Sequence, residues 1–139
     1  MNATNSTSEY LLLFRGGAWD RSLSPAELQK TMASFIAWLE RLNADGTLKL
    51  GQPLMDEAHI VSGKNGRTVA DGPFAESKEA VGGYFLIKAG SLDDAVAIAQ
   101  QCPMLDHGTV VEVRPIAAEC PTHQRARKLI AEELASVGA

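Results

Sequence analysis

The chain has 139 residues, of which 45% are apolar and 22% charged, and its formal net charge is −4. This size and composition are typical of one globular domain, and the acidic balance gives no reason to expect a nucleic-acid or membrane partner. No apolar stretch approaches the roughly 20 residues of a membrane-spanning helix. The polar start, 1–9, lacks the basic and apolar parts of a secretory signal, so we expect a disordered tail on a cytoplasmic protein.

The first half of the chain predicts a strand followed by a capped helix. Residues 10–14 form a continuous apolar run, which is typical of a central strand buried on both faces. Ser24 can cap the helix, Pro25 fits its first turn, and Glu27 can close a capping box. Apolar residues then follow at helical spacing. They are Leu28, Met32, Phe35, Ile36, Leu39 and Leu42, with Trp38 at the edge of this face.

The rest of the chain continues in the same alternating way. Residues 48–54 predict a second strand, and Asn65-Gly66 between two β-type runs favours a hairpin. Apolar periodicity and a second capping serine then mark the later elements. These are a strand over 81–89, a helix that begins after Ser91, a strand over 109–116 and a last helix over about 122–135.

Two βαβ-like halves over one sheet define a ferredoxin-like α+β domain, with an antiparallel sheet and the helices on one face. We assign this domain to residues 10–117 and a C-terminal helical extension to residues 118–139. The sheet face without helices would be a larger apolar patch than a monomer usually exposes. We therefore expect a second copy of the chain to cover it, in a homodimer with two-fold symmetry.

The most distinctive motif is Asp71-Gly72-Pro73-Phe74, and Gly82-Gly83-Tyr84-Phe85 follows it closely. Together with the run at 10–13 and the strand at 111–116, this order of motifs resembles the YCII-related family. The likeness is closest to the branch of that family named for the Asp-Gly-Pro-Phe motif. It covers about residues 10–116, which is most of the chain.

The resemblance implies a ferredoxin-like fold and a dimeric α+β barrel. Relatives of the family include enzymes that act on small ring compounds, such as muconolactone isomerase-like proteins. Members of the branch are often encoded beside alternative sigma factors. Some YCII-like proteins pair a histidine of the first helix with an aspartate as an acid–base dyad. The corresponding position here is Ser34 or Phe35, and neither side chain can relay a proton as histidine does.

Asp71 is the candidate catalytic residue, because an acid at the start of a Gly-Pro turn can be aimed at a pocket. As a general base it needs a pKa raised by burial, whereas an Asx-type turn would lower that pKa. Arg15 follows a buried strand and can hold a carboxylate of a substrate. It can equally form an ion pair with Asp20, Asp71 or Glu76.

Two aromatic residues and a histidine complete the predicted substrate-binding site. Trp19 can wall a pocket or lie in the dimer contact, and the Tyr84 hydroxyl can donate to a ligand or pack in the core. His107 could meet Asp71 in space and supply an acid–base imidazole. No two histidines or cysteines have the spacing of metal ligands, and no feature indicates a metal or an organic cofactor.

The sequence leads to two hypotheses of function. The first is a homodimer that binds a small ring compound and catalyses proton transfer on it without a cofactor. Asp71 would then be the base and Arg15 the anion holder, and Trp19 and Tyr84 would form the pocket wall. The second is a non-catalytic accessory or ligand-sensing protein linked to a sigma-factor system. Binding without turnover distinguishes the second from the first. A purely structural dimer, in which the motif serves only the turn, is a third reading.

Overall fold

The computed structural model describes residues 6–73, 77 and 79–138. Short 3-10 turns cover Lys64–Gly66 and Pro103–His107. The longer elements alternate as the sequence predicts. In chain order they are β1 (Ser8–Arg15), α1 (Pro25–Ala44), β2 (Leu48–Pro53), β3 (His59–Ser62), β4 (Thr68–Asp71), β5 (Val81–Ala89), α2 (Leu92–Ala99), β6 (Val110–Pro115) and α3 (Pro121–Gly138).

Four of the strands form one sheet in the order β2-β5-β1-β6. Every neighbouring pair in this sheet is antiparallel. The units β1-α1-β2 and β5-α2-β6 are the two halves of a ferredoxin-like arrangement. The hairpin β3–β4 is inserted between them and forms a separate two-stranded sheet. The predicted α+β ferredoxin-like fold is therefore confirmed.

The core lies between the main sheet and helices α1 and α2. Side chains alternate between the two faces of a strand, and the alternate residues of β1 and β5 that point at the helices are buried. Trp38 of α1 is fully buried and packs against the rings of Phe14, Phe35 and Phe85, with centroids 6.2, 6.0 and 5.5 Å away. Trp38 thus lies at the centre of the helix's apolar face. Ile36, which was expected on that face, is 47% exposed.

Local signals start the helices where the sequence predicts. In α1, the Glu27 N–H donates to Ser24 Oγ at 3.1 Å, and the Ser24 N–H donates to Glu27 Oε1 at 3.0 Å. This capping box satisfies backbone donors that a helix start leaves without partners. Ser91 accepts in the same way from the Asp94 N–H at the start of α2. The first strand begins at Ser8, within the stretch expected to be a tail.

Two elements stand apart from the core. The hairpin β3–β4 is exposed along its whole length, and helix α3 has no buried residue. Apolar side chains of α3, such as Ile130 and Leu134, are 57% and 67% exposed. No helix in the described part of the chain has the length and apolarity needed to cross a membrane.

Candidate functional site

A cavity of about 520 Å³ opens between helix α1 and one end of the sheet. We call it the α1 cavity. The carboxyl ends of β1 and β2, the amino end of β5 and the turn before β6 form its other sides. Its wall is mostly apolar and includes Phe14, Trp19, Met32, Phe35, Phe85 and Met104. Such a wall suits an apolar ligand better than a strongly charged one.

Glycines shape the sheet side of this cavity. A Cβ on Gly51 of β2 would lie 2.5 Å from Cδ1 of Phe85, so the Phe85 ring occupies the space that a side chain would fill. A Cβ on Gly83 of β5 would lie 3.0 Å from the Gln52 carbonyl oxygen. The glycines therefore allow the close approach of β2 and β5 and fix where the Phe85 ring forms the cavity wall.

Few polar side chains line the α1 cavity. Tyr84 and Gln52 border the cavity, but they pair on the face of the sheet opposite Phe85, where the Tyr84 hydroxyl donates to Gln52 Oε1 at 2.7 Å. Asp56 is 74% exposed and lies 3.9 Å from Arg21 Nη2. Thr109 is 5% exposed, and its Oγ1 has no hydrogen-bond partner among the described residues. A buried hydroxyl without a partner is uncommon, because its lost bonds to water are not replaced.

Trp19 connects the cavity to a histidine on its outer side. The Trp19 ring lines the cavity and stacks on His107, with centroids 6.2 Å apart and ring planes inclined by 21°. His107 Nε2 lies 3.0 Å from Oγ1 of Thr31, which is buried in helix α1. The hydroxyl donates in this hydrogen bond when that nitrogen carries no proton. His107 thus supports the cavity wall from behind.

Arg15 lies on the sheet face that the helices leave open. Its Nη1 donates to Glu112 Oε1 at 2.6 Å, and Arg114 Nη1 donates to Glu112 Oε2 at 3.0 Å. Hydrogen bonds from Arg114 and Arg15 hold the pKa of the Glu112 carboxyl below its usual value. Arg15 therefore forms an ion pair with Glu112, a partner that the sequence did not suggest. Arg15 is not among the described residues that line the α1 cavity.

Asp71 is the last residue of strand β4, on the hairpin. It pairs in register with His59, and its Oδ1 lies 3.6 Å from His59 Nδ1. The Asp71 side chain is 97% exposed, whereas His107 is held by Trp19 and Thr31. The structure therefore does not bring His107 to Asp71.

The residue after Asp71 is held close to the other strand of the hairpin. The Gly72 N–H donates to the Ala58 carbonyl oxygen at 2.7 Å, and a Cβ on Gly72 would lie 2.4 Å from Cβ of Ala58. The glycine of the motif is therefore required by this close approach. Phe74 of the motif and Glu76, a predicted partner of Arg15, lie outside the described residues.

Two of the five predicted site residues, Trp19 and Tyr84, line the α1 cavity, and His107 lies behind its wall. His59 and Thr109 were missed as site candidates. The hairpin signal at Asn65 could have suggested His59, because His59 and Asp71 are equidistant from Asn65 along the chain. No local pattern marks Thr109, because the cavity is assembled from distant segments.

An α+β protein of ferredoxin-like architecture, with an apolar cavity between its sheet and first helix, is the class that these observations define. The YCII-related domain matches residues 18–119, and the chain belongs to this family.

Two similar proteins have more limited likeness to the chain. An uncharacterized protein of Rhizobium meliloti (strain 1021) is 44% identical over 54 residues, which are 38% of this chain and 44% of that protein. The aligned stretch thus spans less than half of that relative. A solved structure of 5-chloro-2-hydroxyhydroquinone dehydrochlorinase from Burkholderia phenoliruptrix AC1100, in complex with 2,5-dihydroxybenzoquinone, is 20% identical with a TM-score of 0.41. The structural alignment covers 83% of this chain and 97% of the dehydrochlorinase chain.

Proposed function

We propose that this protein binds small, largely apolar ring compounds in the α1 cavity. The observation that carries the proposal is the aromatic character of the wall, to which Phe14, Trp19, Phe35 and Phe85 contribute. The cavity of about 520 Å³ falls within the size range of small-molecule sites in proteins. Aromatic rings offer both faces and edges, and a ring-shaped ligand packs against either.

The protein works as a homodimer in this proposal. Leu50 of β2 pairs with Leu86 of β5 on the open face of the sheet, and Leu50 is 45% exposed in the single chain. Val110 of β6 shares this face and is also 45% exposed. A second copy stacked on this face would remove these apolar side chains from water, which favours association.

Proton transfer without a cofactor is the second part of the proposal, and the His59–Asp71 pair supports it. A carboxylate beside an imidazole can hold the ring in one orientation and share a proton with a substrate. The Asp71 side chain is 97% exposed in the single chain, so water would reach a substrate held beside it. In this proposal a second copy covers the hairpin and excludes that water. The ligand-sensing alternative needs the cavity alone.

The test is the binding of p-cresol, a neutral ring compound, followed by calorimetry and by NMR shifts of the Trp19 indole N–H. Met32→Trp places a large ring in the cavity wall and should abolish binding. Ile36→Trp, on the same helix and 47% exposed, is the matched control and should leave binding unchanged. Equal loss in both variants, or p-cresol shifts that avoid the cavity residues, would overturn the proposal. Turnover of ring compounds that Asp71→Asn abolishes would favour the enzyme over the sensor.

A further inference from the structure

We infer that Thr109 is the polar anchor of the α1 cavity, and that the ligand is an uncharged ring compound with a hydroxyl or carbonyl oxygen. This inference rests on the proposed function, because it assigns the ligand of the same site. Ring packing does not explain one feature of the cavity wall. Thr109 lines the cavity, is 5% exposed, and keeps a hydroxyl with no hydrogen-bond partner among the described residues.

The backbone leading into Thr109 is held in place, so the unpaired hydroxyl is not part of a loosely held turn. The Thr109 N–H donates to the Met104 carbonyl oxygen at 3.3 Å, and Gly108 supplies the left-handed conformation, φ 95°, that ends the preceding 3-10 turn. A threonine side chain has three staggered positions, and rotation about Cα–Cβ exchanges its hydroxyl with its methyl group. Because Thr109 Oγ1 is itself buried, a side-chain rotation that brings it to the cavity wall would let it bond to a ligand oxygen.

The other polar groups of the wall are already engaged or lie at its exposed edge. The Tyr84 hydroxyl donates to Gln52 on the open face of the sheet, and the Asp56 side chain is 74% exposed and lies near Arg21. In the buried part of the cavity, the Thr109 hydroxyl is thus the group that can form a hydrogen bond with a ligand. A hydroxyl can both donate and accept, so it can bind a phenol-type hydroxyl or a carbonyl oxygen.

The charges around the cavity set the charge of the ligand. Among the described residues that line it, Asp56 is the charged one, and Lys, Arg and His do not occur. A carboxylate drawn into this apolar space would lose its water without gaining a counter-charge, and Asp56 would repel it. The arrangement thus selects against ionised acids. Arg15 has no ligand contact in this inference, because it forms an ion pair with Glu112 on the open sheet face.

Four matched probes test the inference by calorimetric titration: toluene, p-cresol, p-tolualdehyde and p-toluate. They share a methyl-substituted ring and differ in the polar group. We expect p-cresol and p-tolualdehyde to bind about three- to tenfold more tightly than toluene. One added hydrogen bond increases affinity by about this factor. We expect p-toluate to bind more weakly than toluene.

Thr109→Val removes the hydroxyl and keeps the shape, and Thr109→Ser keeps the hydroxyl. In Thr109→Val the advantage of p-cresol over toluene should disappear while toluene binding is retained, and Thr109→Ser should preserve the advantage. Equal affinities of p-cresol and toluene in the unmodified protein, or a preference for p-toluate, would overturn the inference and leave the ring site intact. Failure of toluene and p-cresol alike to bind would instead overturn the proposed function.

Discussion

Trp19 lies against His107, with ring centroids 6.2 Å apart and ring planes inclined by 21°. This stack ties a loop residue of the cavity wall to Thr31 of helix α1, because the same imidazole is 3.0 Å from the Thr31 hydroxyl. The aromatic wall of the cavity thus depends on a side chain outside it. The effect of His107 on the wall can be measured separately from contact with a ligand, because His107 is not among the described residues that line the cavity.

His107→Ala should destabilise the protein by about 1–2 kcal/mol, because it removes the stack on Trp19 and leaves the buried Thr31 hydroxyl without its partner. Urea unfolding measures the change in the free energy of unfolding. The affinity for p-cresol should also fall, since Trp19 loses its support. His123→Ala, on the exposed helix α3, is the control and should change stability by less than about 0.5 kcal/mol. An unchanged free energy of unfolding in His107→Ala would show that the stack contributes nothing.

Gly51→Ala should lower both stability and binding. The new Cβ would lie 2.5 Å from the Phe85 ring, which must then move against Trp38 or into the cavity. Overpacking of this kind costs about 1–3 kcal/mol. Thermal unfolding and p-cresol titration measure the two effects. Gly138→Ala has no atom within 4 Å of its new Cβ and should change neither quantity. Full stability with normal binding in Gly51→Ala would contradict the packing described for Phe85.

Glu112 should make the stability of the protein depend on pH. Hydrogen bonds from Arg114 and Arg15 lower the folded-state pKa of this carboxyl, so the folded state favours the ionised form. The resulting stabilisation is fully present above the ordinary pKa of glutamate and is lost as the pH falls through the lowered folded-state value. The difference in free energy of unfolding between the natural chain and Glu112→Gln should therefore shrink as the pH falls through this range. Urea titrations from neutral to acidic pH measure it.

Arg114→Leu serves as the companion variant for Glu112. It removes the largest cause of the lowered pKa, so its own stability should vary less with pH in the same range. A difference between the natural chain and Glu112→Gln that stays constant with pH would rule out this coupling.

Leu50→Glu should convert the proposed dimer into a monomer. Leu50 is 45% exposed on the open sheet face, and a charge there would be buried without a partner when two copies stack. Sedimentation velocity measures the mass of the species in solution. Val96→Glu, on helix α2 and 37% exposed, is the matched control and should leave the dimer intact. A dimer that persists in Leu50→Glu would place the contact elsewhere on the chain.

The positions of the helices and strands can be predicted from local sequence signals. Ser24 and Glu27 form the predicted capping box because every group in it lies within one helical turn. The position of Trp38 is harder to predict, because helical spacing gives a direction for each side chain but not the direction of the sheet. The aromatic residues Phe14 and Phe85, from two strands, decide that Trp38 and not Ile36 faces the core.

The site is less predictable, since its residues meet through pairings that are distant in sequence. Asp71 is predicted at the start of a Gly-Pro turn, and it ends strand β4 directly before Gly72, but its pairing with His59 is not predicted. The turn explains the register of this hairpin. Asn65 takes a left-handed conformation inside a 3-10 turn over Lys64–Gly66, so the loop is longer than an Asn-Gly pair alone. One residue of register decides which side chain an aspartate meets.

The hydrogen bond from the Gly72 N–H to the Ala58 carbonyl oxygen closes the base of the hairpin at 2.7 Å. The entry and exit of this segment are thus pinned side by side, and its strands add no partner to the main sheet. Chain inserted near Asn65 would lengthen the segment without pulling on the core. This tip is therefore an attachment point for a fluorophore or an affinity tag, because Asn65 is not among the described residues that line the α1 cavity.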